Sequence, residues 1–119
     1  MACCATPDFV EYSKAEIFFD PGFSVIDASV AKSDDGYLMA VKDERGDNVW
    51  DTPHKVIHVL CSPRATGPWS EIAEPATPRL TEGPILFRRG NLWTMFYDHF
   101  MEGFFGAVES EDGKTWRDI

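Results

Sequence analysis

Asp27-Ala-Ser-Val-Ala-Lys-Ser-Asp-Asp-Gly-Tyr-Leu-Met-Ala-Val-Lys-Asp43 reads as two short strands around a polar turn. The chain repeats the pattern as Glu82-Gly-Pro-Ile-Leu-Phe-Arg-Arg-Gly-Asn-Leu-Trp-Thr-Met-Phe-Tyr-Asp98, and the two stretches align without a gap. An acid opens each copy and an Asp closes it. A turn cluster sits in the middle of each, Ser33 to Gly36 in one and Arg88 to Asn91 in the other. Apolar and aromatic residues flank both turns, which is the signature of a β-hairpin used twice.

The segment after each hairpin repeats as well. Val56-Ile-His-Val-Leu-Cys-Ser62 corresponds to Phe104-Phe-Gly-Ala-Val-Glu-Ser110, and Trp69 and Ile72 correspond to Trp116 and Ile119. Earlier in the chain, Asp8 and then Tyr12 match Asp112 and then Trp116, as a turn leading to an outer-strand aromatic. The unit is four short strands, expected near 26–32, 37–42, 55–61 and 69–72, and again near 83–88, 92–97 and 104–110 with a fourth just beginning. Repeated four-stranded antiparallel units of roughly 40–50 residues are the pattern of β-propeller blades. The expected fold is therefore all-β, a partial propeller, with residues 1–20 ending one blade, 21–75 forming a full one and 76–119 a nearly full one. Pro and Gly interrupt every apolar period near 3.6, so no helix is expected.

Composition narrows the partners. The formal net charge of −9 disfavours nucleic acid, whose phosphates call for clustered Lys and Arg. No apolar run approaches the roughly 20 residues of a membrane span, and Met1 to Ala5 lacks the regions of a signal peptide. Localisation stays open. Three cysteines without regular spacing form neither a disulfide framework nor a metal motif, so no metal and no cofactor is expected. A neutral ligand such as a carbohydrate is compatible with the charge. Incomplete blades leave unpaired strand edges, which invite self-association.

The two ends of a hairpin share one rim, which groups Asp27 with Asp43, and Glu82 with Asp98 and His99. If the first strand of each blade is innermost, Asp27 and Glu82 converge from adjacent blades. Paired carboxyls in an aromatic-lined hollow suit acid/base work on a glycosidic bond. Phe23, Trp50 and Phe104 are the aromatics placed to stack on a sugar, while Trp69 and Trp116 are expected to pack between blades.

Phe23-Ser-Val-Ile-Asp27-Ala, Tyr37-Leu-Met-Ala-Val-Lys-Asp43-Glu44, Thr81-Glu82-Gly-Pro and Ser110-Glu-Asp-Gly-Lys-Thr-Trp116 together resemble glycoside hydrolase family 43 and its five-bladed relatives. The resemblance implies a parent arabinofuranosidase or xylosidase, acting on arabinose- or xylose-containing glycans by an inverting mechanism. It implies Glu82 as the general acid and Asp27 as the acid that tunes and orients it. Asp43, Asp98 and His99, with Phe23, Trp50 and Phe104, are the expected substrate contacts. The base Asp of the family has no counterpart among these residues, so the chain alone is expected to be inactive. The alternative is a non-catalytic carbohydrate-binding or structural propeller piece that assembles with other copies.

Overall fold

Both hairpins form where the turn residues predict them. The computed structural model describes residues 1–48, 50 and 52–119. Nine strands make up its regular structure, and no helix occurs among the described residues. β3 (Val25–Ser33) turns through Asp34 and Asp35 into β4 (Gly36–Asp43), and β5 (Ile57–Ser62) completes an antiparallel sheet in the order β3-β4-β5. β6 (Glu82–Arg89) turns through Gly90 and Asn91 into β7 (Leu92–His99). β8 (Phe104–Ser110) and β9 (Arg117–Asp118) come next, giving a four-stranded sheet in chain order. Near the N-terminus, β1 (Ala2–Cys3) pairs with β2 (Glu16–Ile17). Antiparallel, chain-order sheets of this kind are consistent with partial propeller blades.

The expected fourth strand of the first sheet does not form a ladder. Ser70 N–H donates to the Cys61 carbonyl at 2.8 Å, but Cys61 N–H donates to the Ser70 hydroxyl at 3.1 Å instead of a backbone oxygen. A side chain has taken the place of the next rung, so pairing stops after one bond. Trp69 still packs inward, edge-on to Phe18 with ring centroids 5.6 Å apart.

The turns after the third strands show the repeat in hydrogen bonds. The Asp112 carboxylate accepts from Lys114 and Thr115 N–H, both at 2.8 Å, and the Ser110 hydroxyl accepts from Gly113 N–H. Near the N-terminus Asp8 accepts from Val10 and Glu11 N–H, and the Thr6 hydroxyl accepts from Phe9 N–H. The same loop is built at two places in the chain.

Alternation divides the side chains between faces. On the first sheet, Ala31, Leu38, Ala40, Ile57 and Val59 face the second sheet. There they meet Leu86, Trp93, Met95, Tyr97 and Val108. The opposite face of the first sheet carries Met39, Val41 and Leu60, covered by Phe18, Phe19, Phe23, Trp69 and Ile72. β3 and β6 lie against each other: the Ser29 hydroxyl accepts from Leu86 N–H at 3.1 Å, and Arg88 pairs with Asp34 at 2.8 Å.

The register corrects the gapless alignment by one residue. Ser33 pairs with Gly36 across the first turn and Arg89 with Leu92 across the second; a bulge then interrupts each hairpin, between Ile26 and Ser29 and between Glu82 and Ile85. Ile26 pairs with Lys42 where Glu82 pairs with Asp98. The partner of Glu82 in the repeat is therefore Ile26, and Asp27 corresponds to Gly83. The offset is the same from the turn to the bulge, so the two hairpins are equivalent throughout; Asp34-Asp35 stands where Gly90-Asn91 does, and turn residues of unlike type let a comparison by residue type slide by one.

Candidate active site

Glu82 is placed by the crossing segment before it. Ile57 N–H donates to the Thr77 hydroxyl at 2.9 Å, and the Thr77 and Thr81 hydroxyls are 2.8 Å apart. Thr81 then donates to the Pro78 carbonyl at 3.0 Å, and its backbone N–H donates to the Lys55 carbonyl. Thr81 has no exposed surface. A chain of hydroxyls thus fastens the start of β6 to β5, and Glu82 leaves that anchor half-buried at the rim.

Asp27 reaches the same place from β3. It sits in the bulge with φ 53, a left-handed conformation that Asp tolerates better than most residues. Its Oδ2 lies 3.4 Å from Gly83 N–H, so its exposed carboxyl touches the backbone immediately after Glu82. The Asp27 carboxyl and the backbone beside Glu82 are brought together where β3 and β6 adjoin.

Two lysines also stand at this rim. Lys42 is almost fully buried, yet its ammonium contacts Glu82 at 2.6 Å and Glu44 at 2.9 Å, and lies 4.8 Å from the centre of the Phe100 ring. Burial works against its charge, but hydrogen bonds and attraction from Glu82 and Glu44 outweigh it and hold Lys42 above the ordinary lysine value. Lys55 adds a second cation to Glu44 at 2.7 Å. Burial raises the Glu44 carboxyl, while Lys55 and Lys42 lower it further, so it is held below the ordinary range.

Asp43 is on the opposite face, because consecutive strand residues alternate. Its carboxylate has no exposed surface. Arg45 pairs with it at 2.6 Å, His54 Nδ1 lies 3.0 Å away and His58 Nε2 3.7 Å away. Burial pushes Asp43 up, but the hydrogen bonds and charge of Arg45, with His54, hold it below the usual carboxylate value. His58 Nδ1 is 2.8 Å from the Ala73 carbonyl, which only accepts, so Nδ1 carries the proton. Asp43 thus gathers Arg45, His54 and His58 around one buried carboxylate beneath the rim.

The remaining expected contacts divide in two. Phe23 has the Arg45 guanidinium 3.7 Å from its ring centre, so one ring face is already taken. Trp50 is exposed on its loop. Asp98 faces Glu82 across the ladder; His99 is next in the strand, with its ring 5.2 Å from Tyr97 and 4.4 Å from the half-exposed Phe104. Asp98 is thus next to Glu82 in the ladder, His99 and Phe104 project from the opposite face of the same strands, and Lys42 meets Glu82 from the first sheet. Among the described residues, no three His, Cys, Asp or Glu side chains gather as a metal site.

A carboxyl at a half-open rim, beside a second carboxyl and an aromatic shelf, has the parts needed to hold and protonate a sugar oxygen. A family model described as a probable glycosyl hydrolase domain, related to glycoside hydrolase family 43, matches residues 1–118. No curated protein and no solved structure matches the chain. The match spans nearly all of the sequence, and the chain belongs to this family 43-related group of glycosyl hydrolase domains.

Proposed function

We propose that this domain contributes the acid half of an inverting glycosidase site for arabinose- or xylose-containing glycans. Glu82 donates a proton to the leaving glycosidic oxygen, and Asp27 orients and tunes it. Asp98, His99 and Phe104 contact the sugar on one side, with Trp50 and Phe23 further out and Asp43 supporting the rim from below. The base that activates water is assigned to no residue of this chain; it would stand about 6.5–9.5 Å from the acid. The blade divisions stay at residues 20 and 75.

The observation that supports this role is the contact of Asp27 with the backbone beside Glu82, at the rim of a family member. For Glu82 to act, its bond to Lys42 must be exchanged for one to substrate. That 2.6 Å pair also favours a second reading, a non-catalytic carbohydrate-binding or structural module in which Glu82 joins two sheets.

Nitrophenyl arabinofuranoside and xyloside, offered with and without azide, separate the two. Azide attacks the anomeric carbon from the face the missing water would use, giving an inverted glycosyl azide. Azide-dependent release of nitrophenol, lowered about a hundredfold or more by Glu82→Gln, is the expected result. Folded protein that binds xylo- or arabino-oligosaccharides without such turnover would establish the second reading.

A further inference from the structure

A cavity of about 420 Å³ opens between Pro78 of the crossing segment and strands β7, β8 and β9. That volume is in the range of small-molecule sites. Tyr97, His99, Phe104 and Asp118, which line it, project from one face of the second sheet. Tyr97 lies opposite Gly106, His99 opposite Phe104, and Asp118 opposite Val108, and residues opposite one another or two apart in a strand point the same way.

Gly106 sets the course of the Tyr97 ring. A Cβ on Gly106 would lie 2.7 Å from the Tyr97 hydroxyl, so the ring passes over that residue, from β7 toward β9. Only 3% of Tyr97 is exposed, yet its hydroxyl has no hydrogen-bond partner among the described residues. A buried hydroxyl without a partner is rare and calls for an explanation. Burial first, and the negative charge of Asp118 second, hold the phenol above its ordinary value, so it stays a proton donor. Asp118 is exposed, and its carboxylate makes no ion pair or hydrogen bond among the described residues.

These groups specify a ligand. Tyr97 offers a proton and Asp118 accepts one, while Phe104, 48% exposed and stacked against His99, supplies an aromatic wall. Neighbouring hydroxyls of a sugar provide the matching acceptor and donor, and the apolar face of its ring packs on an aromatic side chain. An organic cation would satisfy Asp118 but has no lone pair for the Tyr97 proton. An anion would be repelled by Asp118 and by the net charge of −9.

We propose that this cavity binds a neutral sugar unit, with Tyr97 donating to one ring hydroxyl, Asp118 accepting from its neighbour and Phe104 lying against the ring. The proposal rests on the reading of His99 and Phe104 as sugar contacts, not on proton transfer by Glu82, and it adds Tyr97 and Asp118 to them.

Amide shifts of the labelled full chain, titrated with xylotriose, arabinotriose or cellotriose to about 10 mM, test this. Gly106 and Ile119 should shift together. Tyr97→Phe should weaken that response about 3–10-fold, the worth of one neutral hydrogen bond, and Asp118→Asn about 10-fold or more. Tyr97→Phe removes an unpaired hydroxyl, so its urea midpoint should match or exceed that of wild type. Shifts confined to Gly83 would overturn the proposal and leave the acid site standing, and shifts at neither place would overturn both. A response at Gly106 that both variants leave unchanged, or that n-butylammonium gives more strongly than any of the sugars, would also overturn it.

Discussion

Asp27 and Gly83 occupy the same place in two successive bulges, both with left-handed backbones, φ 53 and 58, and the Asp27 carboxyl lies 3.4 Å from the Gly83 N–H. One position of the repeat is filled by the residue that adopts this conformation freely. The other is filled by one that adopts it at a cost but carries a carboxyl. An unfavourable backbone held next to a candidate acid is the ground for testing Asp27 for function.

Replacing Asp27 separates the two roles. Asp27→Gly should leave stability unchanged or raise it slightly, because Gly populates this region without a Cβ penalty. Asp27→Ala should cost about 1 kcal/mol, as a Cβ residue without a compensating side chain. Both should weaken binding of xylo- or arabino-oligosaccharides, measured by titration calorimetry beside urea denaturation. Equal binding by Asp27→Gly and wild type would remove Asp27 from the site.

Lys42 joins the two sheets. Lys42→Met should destabilise the fold by about 2–3 kcal/mol in urea, since Glu82 and Glu44 lose a cation shared between them. The carboxylates are partly open to water, so the loss falls below the roughly 3–5 kcal/mol of a fully buried pair. The Lys42 contribution, from a value raised in the fold, is complete below the ordinary lysine value and disappears as pH rises through the folded one. Lys42→Met should flatten stability against pH on the alkaline side, and an unaltered alkaline limb would argue against the pair.

Acid stability should depend on Asp43 and Asp112. Both carboxyls are held below the ordinary range, Asp43 against its burial by Arg45, and Asp112 to about 2 by the Thr115 and Lys114 N–H groups. Their contribution is present above about pH 4 and is lost as pH falls through the folded values, for Asp112 by about 2. Asp43→Asn should reduce the slope of stability as pH falls below about 4, monitored by tryptophan fluorescence in urea at stepped pH. A slope identical to wild type would mean the network is not formed in solution.

Gly106 is set by contact, not by its own conformation. It pairs with Tyr97 across β7 and β8, and a Cβ built there would lie 2.5 Å from Tyr97 Cε2. Gly106→Ala should cost about 1–3 kcal/mol through the displaced ring. Tyr97→Phe should be milder, and Gly106→Ala combined with Tyr97→Leu should recover part of the loss; a harmless Gly106→Ala would show that the ring moves freely.

Strands and turns were legible because they rest on local rules. The polar pairs Asp34-Asp35 and Gly90-Asn91 sit between alternating apolar runs, and the Asp8 and Asp112 loops carry their hydrogen-bond acceptors in the same order as their sequence. The candidate acids were legible in part. The Asp27 carboxyl does reach the backbone beside Glu82, but the two acids hold unlike positions of the repeat, because the turn pairs Asp34-Asp35 and Gly90-Asn91 differ in type and do not fix the register by themselves.

The amino-acid order was enough to establish an all-β repeat, its hairpins and the residues that begin and end them, since a period of two and a tight turn are properties of a few neighbouring residues. Packing of one sheet on the other settled the rest. Lys42 and Asp43 look alike as charged residues at a strand end, yet one is buried against Glu82 and the other against Arg45, His54 and His58. A strand turns successive side chains to opposite faces, and which face meets a second sheet depends on residues some 40 positions away, as the Lys42–Glu82 bond shows.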